Sequence, residues 1–179
     1  MYSKRIQSQF FNIHSFKSPD IIFGVNALNK NIEKIVKEFG DRILLITDRN
    51  LRKTNIFNNL GKSLNDFELQ IYEKEVREPL LQDAEDISEF ARNTSFDVVV
   101  GFGGGSVIDM AKIASISKTN SDSIEYFIKE GVKRKGKPSI YIPTTTGTGS
   151  EVTKAIVLSD DKGIKMAVKD PNVMGNVAI

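Results

Sequence analysis

The chain of 179 residues carries 25 Lys and Arg against 23 Asp and Glu, a net charge of +2, and no cysteine. Near-balanced charge gives no overall attraction to nucleic acid or to a membrane surface, and the lack of cysteine excludes a disulfide framework and thiolate chemistry. The opening residues lack an apolar signal core and no apolar run is long enough to span a bilayer, so a soluble, cytoplasmic protein with no nucleic-acid or membrane partner is expected.

Residues 1–14 are polar apart from such residues as Phe10 and Phe11 and read as a loose arm or an edge strand. Residues 16–23 form a short strand candidate interrupted by Pro19 and ended by Gly24. Leu28, Ile32, Ile35, Val36 and Phe39 recur at helical spacing, with Gly40 as the stop. The run 43–47 (ILLIT) is a buried strand, and Asp48 stands just past its carboxyl end. A helical stretch at 51–64 should break near Thr54 and Asn55. A strand at 68–72, a loop at 76–79 and a helix at 81–93 follow.

Residues 97–101 are a β-branched apolar run, hence a buried strand. Glycines stand at 101, 103, 104 and 105. Ser106 then reads as the N-cap of a helix carrying Ile108, Ala111, Lys112 and Ser115, with Asp109 placed to answer the N–H of the cap. A short helical segment covers 124–127. The run Lys133, Arg134, Lys135, Lys137 reads as a solvated loop, and 138–143 is a further strand. Past Glu151 two strands surround Asp160, Asp161, Lys162 and Gly163 as a hairpin over 152–170, and 172–179 (NVMGNVAI) looks like the start of another strand. Strands alternating with helices imply a Rossmann-like parallel sheet flanked by helices, an α/β domain over 1–179 with a C-terminal β-hairpin. Ligands of such sheets bind beyond the carboxyl ends of the strands, where Asp48, the glycines and the residues after Pro143 should all lie.

Two stretches carry the chemistry. A strand, a glycine turn and a helix start together make a place for an anion, because close backbone approach, first-turn N–H groups and the helix dipole all favour negative charge there. The plain alternative is a tight turn without a ligand. Three consecutive glycines cost backbone entropy without packing anything, which favours the ligand. The match to GxGxxG is partial, because Ser106 takes the place of the third glycine and the acid Asp48 precedes the turn instead of following it. The second stretch, 143–151 (PTTTGTGSE), supplies hydroxyls and open backbone suited to phosphate, ribose or a carboxamide.

GGGSVIDMAK at 103–112 followed by IPTTTGTGSEVT at 142–153 resembles the iron-containing (group III) alcohol dehydrogenase family, and LLITDRNL at 44–51 and MAVKDPNVMGNVAI at 166–179 fit the same family. The resemblance implies an N-terminal domain that binds NAD, with NADP possible, followed by an all-helical metal domain that is absent from this chain. It assigns Gly103, Gly104, Gly105 and Ser106 to the pyrophosphate, with Asp109 buried beside them. Thr144, Thr145, Gly147 and Thr148 would line the adenosine and nicotinamide side. Thr153 and Lys165 match further cofactor contacts, and Asp48 matches the acid near the adenosine ribose. Glu78-Pro79 stands where the family often has Asn-Pro.

The family holds iron or zinc with one Asp and three His beyond the hairpin. His14 is the single histidine here, so no catalytic residue and no metal ligand is assigned within the chain. The reaction implied for the whole enzyme is NAD(P)-dependent hydride transfer to or from a small alcohol or aldehyde, with the isolated chain inactive. A glycerol dehydrogenase-like or dehydroquinate synthase-like relative, and a non-catalytic nucleotide-binding module or subunit, are the alternatives. An apolar flank left uncovered would favour a homo-oligomer.

Overall fold

The computed structural model describes residues 17–75 and 78–179. The arm expected at 1–14, with His14, lies outside them, as do two positions of the loop expected at 76–79. Six strands form one parallel sheet: β1 (Asp20–Ile21), β2 (Arg42–Thr47), β3 (Glu68–Glu73), β4 (Val98–Gly103), β5 (Ser139–Pro143) and β8 (Val177–Ala178), in the order β1-β8-β5-β4-β2-β3. The central strands β2, β4 and β5 are almost wholly buried, as strands covered by helices on both faces must be.

Alternation along each strand divides the core. Ile43 and Leu45 of β2 pack with Ile32 and Val36 of α1 (Ala27–Phe39) and Leu60 of α2 (Asn55–Ser63). Leu44 and Ile46 face the other way, toward Ala84 and Ile87 of α3 (Leu81–Asn93), Ile108 and Ala111 of α4 (Gly105–Ser117) and Phe127 of α5 (Ile124–Glu130). The expected break at 54 is a cap. Thr54 Oγ1 accepts from Phe57 N–H at 3.3 Å and starts α2 after a 3₁₀ turn, Leu51–Lys53.

Three expectations are corrected around the glycines. Strand β4 runs on through Gly103, and α4 begins at Gly105 with Gly104 as its cap, so Ser106 lies inside the first turn. Asp109 does not answer the cap, because its carboxylate is turned into the interior. The glycines do pack. A Cβ on Gly101 would stand 2.8 Å from Ala111 Cβ, and one on Gly103 would stand 2.6 Å from Val107 Cβ. Their bare backbone lets α4 lie directly on the strand that precedes it.

The hairpin is a separate two-stranded antiparallel sheet, β6 (Ala155–Ser159) and β7 (Lys165–Lys169). It starts later than expected because a 3₁₀ turn, Ser150–Val152, comes first. Ile156, Leu158 and Val168 bury it against the α4 face of the core. Ser159 N–H donates to Pro79 O at 2.9 Å and so joins the hairpin to the segment before α3.

A buried polar clamp adds to that apolar contact. Lys112 of α4 is fully buried, and its Nζ lies 3.2 Å from Asp109 Oδ1, 3.0 Å from Ser150 Oγ, 3.2 Å from Thr153 Oγ1 and 2.6 Å from Ala155 O. Asp109 accepts from the Ser150 hydroxyl through Oδ1 and from Val157 N–H through Oδ2, at 3.0 Å. Burial pushes the Lys112 ammonium down from its ordinary pKa, while Asp109 and then Glu151 push it back up. A buried charge is tolerated only while its partners remain. Asp109→Asn should therefore destabilise the fold by about 3–5 kcal/mol, read from the urea midpoint. A midpoint equal to that of the wild type would show that the clamp holds nothing.

At the opposite, amino-terminal side of the strands, the Arg42 guanidinium grips Asp97 through Nε (3.0 Å) and Nη2 (2.6 Å). Those hydrogen bonds, more than charge, hold the Asp97 carboxyl at about 2, below its ordinary 3.8. The folded pKa is the lower one, so the pair stabilises fully above about pH 4 and its contribution disappears as pH falls toward 2. Asp97→Asn should flatten the acid limb of a stability-versus-pH curve across that window. An unchanged slope would count against the pair as a source of acid sensitivity.

Candidate functional site

Parallel strands place all their carboxyl ends on one rim. The chain leaves β2 for β3 at one side and then crosses back to β4 on the other, so the strand order reverses between β2 and β4. Such a switch point opens a crevice at the rim. Asp48 follows β2, the glycine turn closes β4, and residues 144–149 follow β5, so three neighbouring strands deliver all three stretches to this rim. Hydrogen bonds tie them. Thr47 Oγ1 donates to Phe102 O at 3.0 Å, and Thr144 N–H donates to Gly103 O at 2.9 Å.

At the turn, Gly104 is extended and the first intrahelical bond of α4 runs from Ile108 N–H to Gly104 O at 3.1 Å. Thirteen aligned peptides put the positive end of the helix dipole at this turn. The hydroxyl-rich loop lies directly over the glycines. A Cβ on Gly104 would stand 3.3 Å from Thr145 Oγ1, and one on Gly105 would stand 3.0 Å from Thr148 Cβ. Residues 144–148 are exposed, and Gly147 (φ 91°) and Gly149 (φ 62°) adopt the left-handed backbone that lets the loop turn there.

The expected residues thus separate by place. Asp48, Gly103, Gly104, Gly105, Ser106, Thr144, Thr145, Gly147 and Thr148 share the rim. Asp48 is half-buried, and its Oδ1 accepts from Asn50 N–H at 2.7 Å. Asp109 and Thr153 belong to the clamp beneath the rim, where both carboxylate oxygens and the Thr153 hydroxyl already have protein partners. Lys165, the first residue of β7, is exposed and stands 3.5 Å from Glu78 Oε1. Glu78 is held below the ordinary carboxylate range by the Ser159 hydroxyl (2.7 Å) and then by the charge of Lys165.

Two features were not singled out from the sequence. Lys112 was read only as a helical position. The signal was a lysine among the apolar residues of a helix that is buried all round. The second is a cavity of about 780 Å³ at the same rim, bounded by Phe102, Ile142, residues 144–147, Glu151 and Ile179. Glu151 Oε2 is buried and has no hydrogen-bond partner among the described residues. No group of three His, Cys, Asp or Glu able to hold a metal occurs among the described residues, and no helix there is long and apolar enough to cross a membrane.

The rim therefore offers the amino terminus of a helix, a row of hydroxyls, a carboxylate at Asp48 and a largely apolar cavity. Known proteins carry the same arrangement of chain. The family model "Iron-containing alcohol dehydrogenase" matches residues 18–179. The chain is 35% identical over 162 residues to long-chain-alcohol dehydrogenase 1 of Geobacillus thermodenitrificans, covering 87% of this chain and 41% of that protein. The iron-containing alcohol dehydrogenase of Thermotoga maritima superposes with a TM-score of 0.82 at 34% identity, over 93% of this chain and 47% of the other. Sulfoacetaldehyde reductase from Bifidobacterium kashiwanohense, solved in complex with NAD+, superposes with a TM-score of 0.83 at 27% identity, over 94% and 46%. The chain thus spans less than half the length of these relatives while matching them over nearly all of its own, and it belongs to the iron-containing alcohol dehydrogenase family.

Proposed function

We propose that this chain binds a nicotinamide dinucleotide, NAD in preference to NADP, and is the cofactor-binding part of a dehydrogenase that moves hydride between that cofactor and a small alcohol or aldehyde. The observation that carries the reading is the amino terminus of α4 at the sheet's switch point, with Thr145 and Thr148 packed over its glycines. When bound, the nicotinamide ring supplies or accepts the hydride.

In this reading Gly103, Gly104, Gly105 and Ser106, at the end of β4 and the start of α4, hold the pyrophosphate. Thr144, Thr145 and Thr148 donate hydroxyl hydrogen bonds along it, and Gly147 keeps the loop open. Asp48 accepts from a ribose 2′-hydroxyl and repels a 2′-phosphate. Lys165 and the Thr153 side of the hairpin start contribute at the margin, and Asp109 acts from beneath. The described residues do not fit a metal centre. Iron or zinc would be held elsewhere, and the chain alone would not turn over. Phe23 and Val25, 98% and 88% exposed beside the cavity, support self-association.

Gly104→Val tests the pyrophosphate assignment. Its Cβ meets only Thr145, at an adjustable distance, so the fold should survive while NADH affinity falls by roughly tenfold or more. Calorimetric titration that finds a folded variant with the wild-type Kd would overturn the assignment. Asp48→Ser should raise affinity for NADPH relative to NADH by roughly tenfold. Parallel titrations of the two cofactors check this, and an unchanged ratio would remove Asp48 from the ribose.

A further inference from the structure

We propose that Lys112 is the positioning residue of this site: by pinning residues 150–157 to α4 it sets how far the hydroxyl-rich loop stands above the glycine turn, and so how tightly the rim closes on a pyrophosphate. The affinity part of this inference rests on the dinucleotide reading above. The geometry behind it does not.

Helix α4 carries the glycine turn at its start and Lys112 about two turns further on, on one rigid rod. Of the four acceptors around Nζ, Asp109 comes from the helix itself. Ser150, Thr153 and Ala155 come from the segment that immediately follows the loop. Asp109 seizes the same segment independently, through the Ser150 hydroxyl and Val157 N–H. The loop 144–149 is therefore suspended between two anchors. Thr144 N–H on Gly103 O is one, and Ser150 in the clamp is the other.

Between those anchors the loop has little to hold it. Its residues are mostly exposed, and Gly147 and Gly149 make its backbone pliant. Ser150 N–H reaches Thr148 Oγ1 at 3.5 Å, so the height of Thr148 over Gly105 follows the position of Ser150. An apolar side chain of equal length would fill the volume of Lys112. It would leave Ala155 O and Thr153 Oγ1 without the ammonium donor and Asp109 without its counter-charge, so the Ser150 hydroxyl would keep only its bond to Asp109. Three N–H donors on one ammonium are what bind several acceptors from two elements at once. Lys112 itself is fully buried and reaches no ligand, so it acts only through the segment it holds.

The test compares the 179-residue chain with Lys112→Met and Ser150→Ala, working well below each variant's thermal midpoint. Ser150→Ala serves as the independent variant, since Lys112→Met places an uncompensated Asp109 in the core. Expected are a roughly tenfold or larger rise in the NADH Kd for Lys112→Met, a smaller rise for Ser150→Ala, and faster backbone amide exchange confined to 144–150 with β4 unchanged. A lowered midpoint with the wild-type Kd and wild-type exchange in 144–150 would make Lys112 a structural lysine only and overturn the proposal. If the wild type itself binds no NADH, the dinucleotide reading fails. The exchange measurement then still decides whether Lys112 sets the loop, with faster exchange at 144–150 supporting it and unchanged exchange in both variants overturning it.

Discussion

The close approach of α4 to β4 is the constraint on which the rim depends. A helix that follows its own strand through a single cap residue has no slack. Its axis must lie at the distance the strand's side chains allow, and here two of those side chains are missing. Gly101 admits Ala111, and Gly103 admits Val107. Adding a methyl at either position would lift the helix and move its amino terminus away from the loop after β5. The glycines are thus first a packing device, and the position of the helix amino terminus at the rim follows from the packing.

That view changes how the glycine run is read. From the sequence the three consecutive glycines cost backbone entropy without packing anything, and so pointed to a ligand. In the structure none of residues 103–105 has a positive φ. Gly103 and Gly105 are small because Val107 and Thr148 occupy the space, and Gly104 is the position with the most tolerance. The helices and strands themselves were legible, because apolar spacing and the stops at Gly40 and Thr54 are local signals. The fate of Asp109 was not legible. An acid three residues after a serine at a helix start looks like a capping box, and only long-range folding brings Ser150 and Val157 to it. Lys112 escaped notice for the same reason, since its partners lie about 40 residues away in sequence. Asp48 and the loop after β5 were placed correctly at the rim because parallel topology alone sends every strand's carboxyl end there.

The two charged clusters show what burial does to an ion pair. Arg42 and Asp97 meet near solvent in a bidentate grip at the amino ends of β2 and β4, and water screens what the charges add. Lys112 and Asp109 meet in the interior, where desolvation opposes both and hydrogen bonds from a second element must offset it. The first pair joins two strands already paired by their backbones. The second joins the helix to a hairpin that shares no backbone ladder with the main sheet, so side-chain chemistry there does what strand pairing does elsewhere.

The outermost strand has a partner far away in the chain. Asp20 pairs with Val177 and Ile21 with Ala178, so β1 cannot enter the sheet until β8 exists, and β8 must first find β5. During synthesis the segment leading into α1 therefore emerges early and stays without its ladder while nearly all the other described residues are made. Closing so long a loop is entropically costly and contributes late in folding. The edge beside the cavity therefore joins the sheet only once residues 20–21 have met residues 177–178, far apart in sequence.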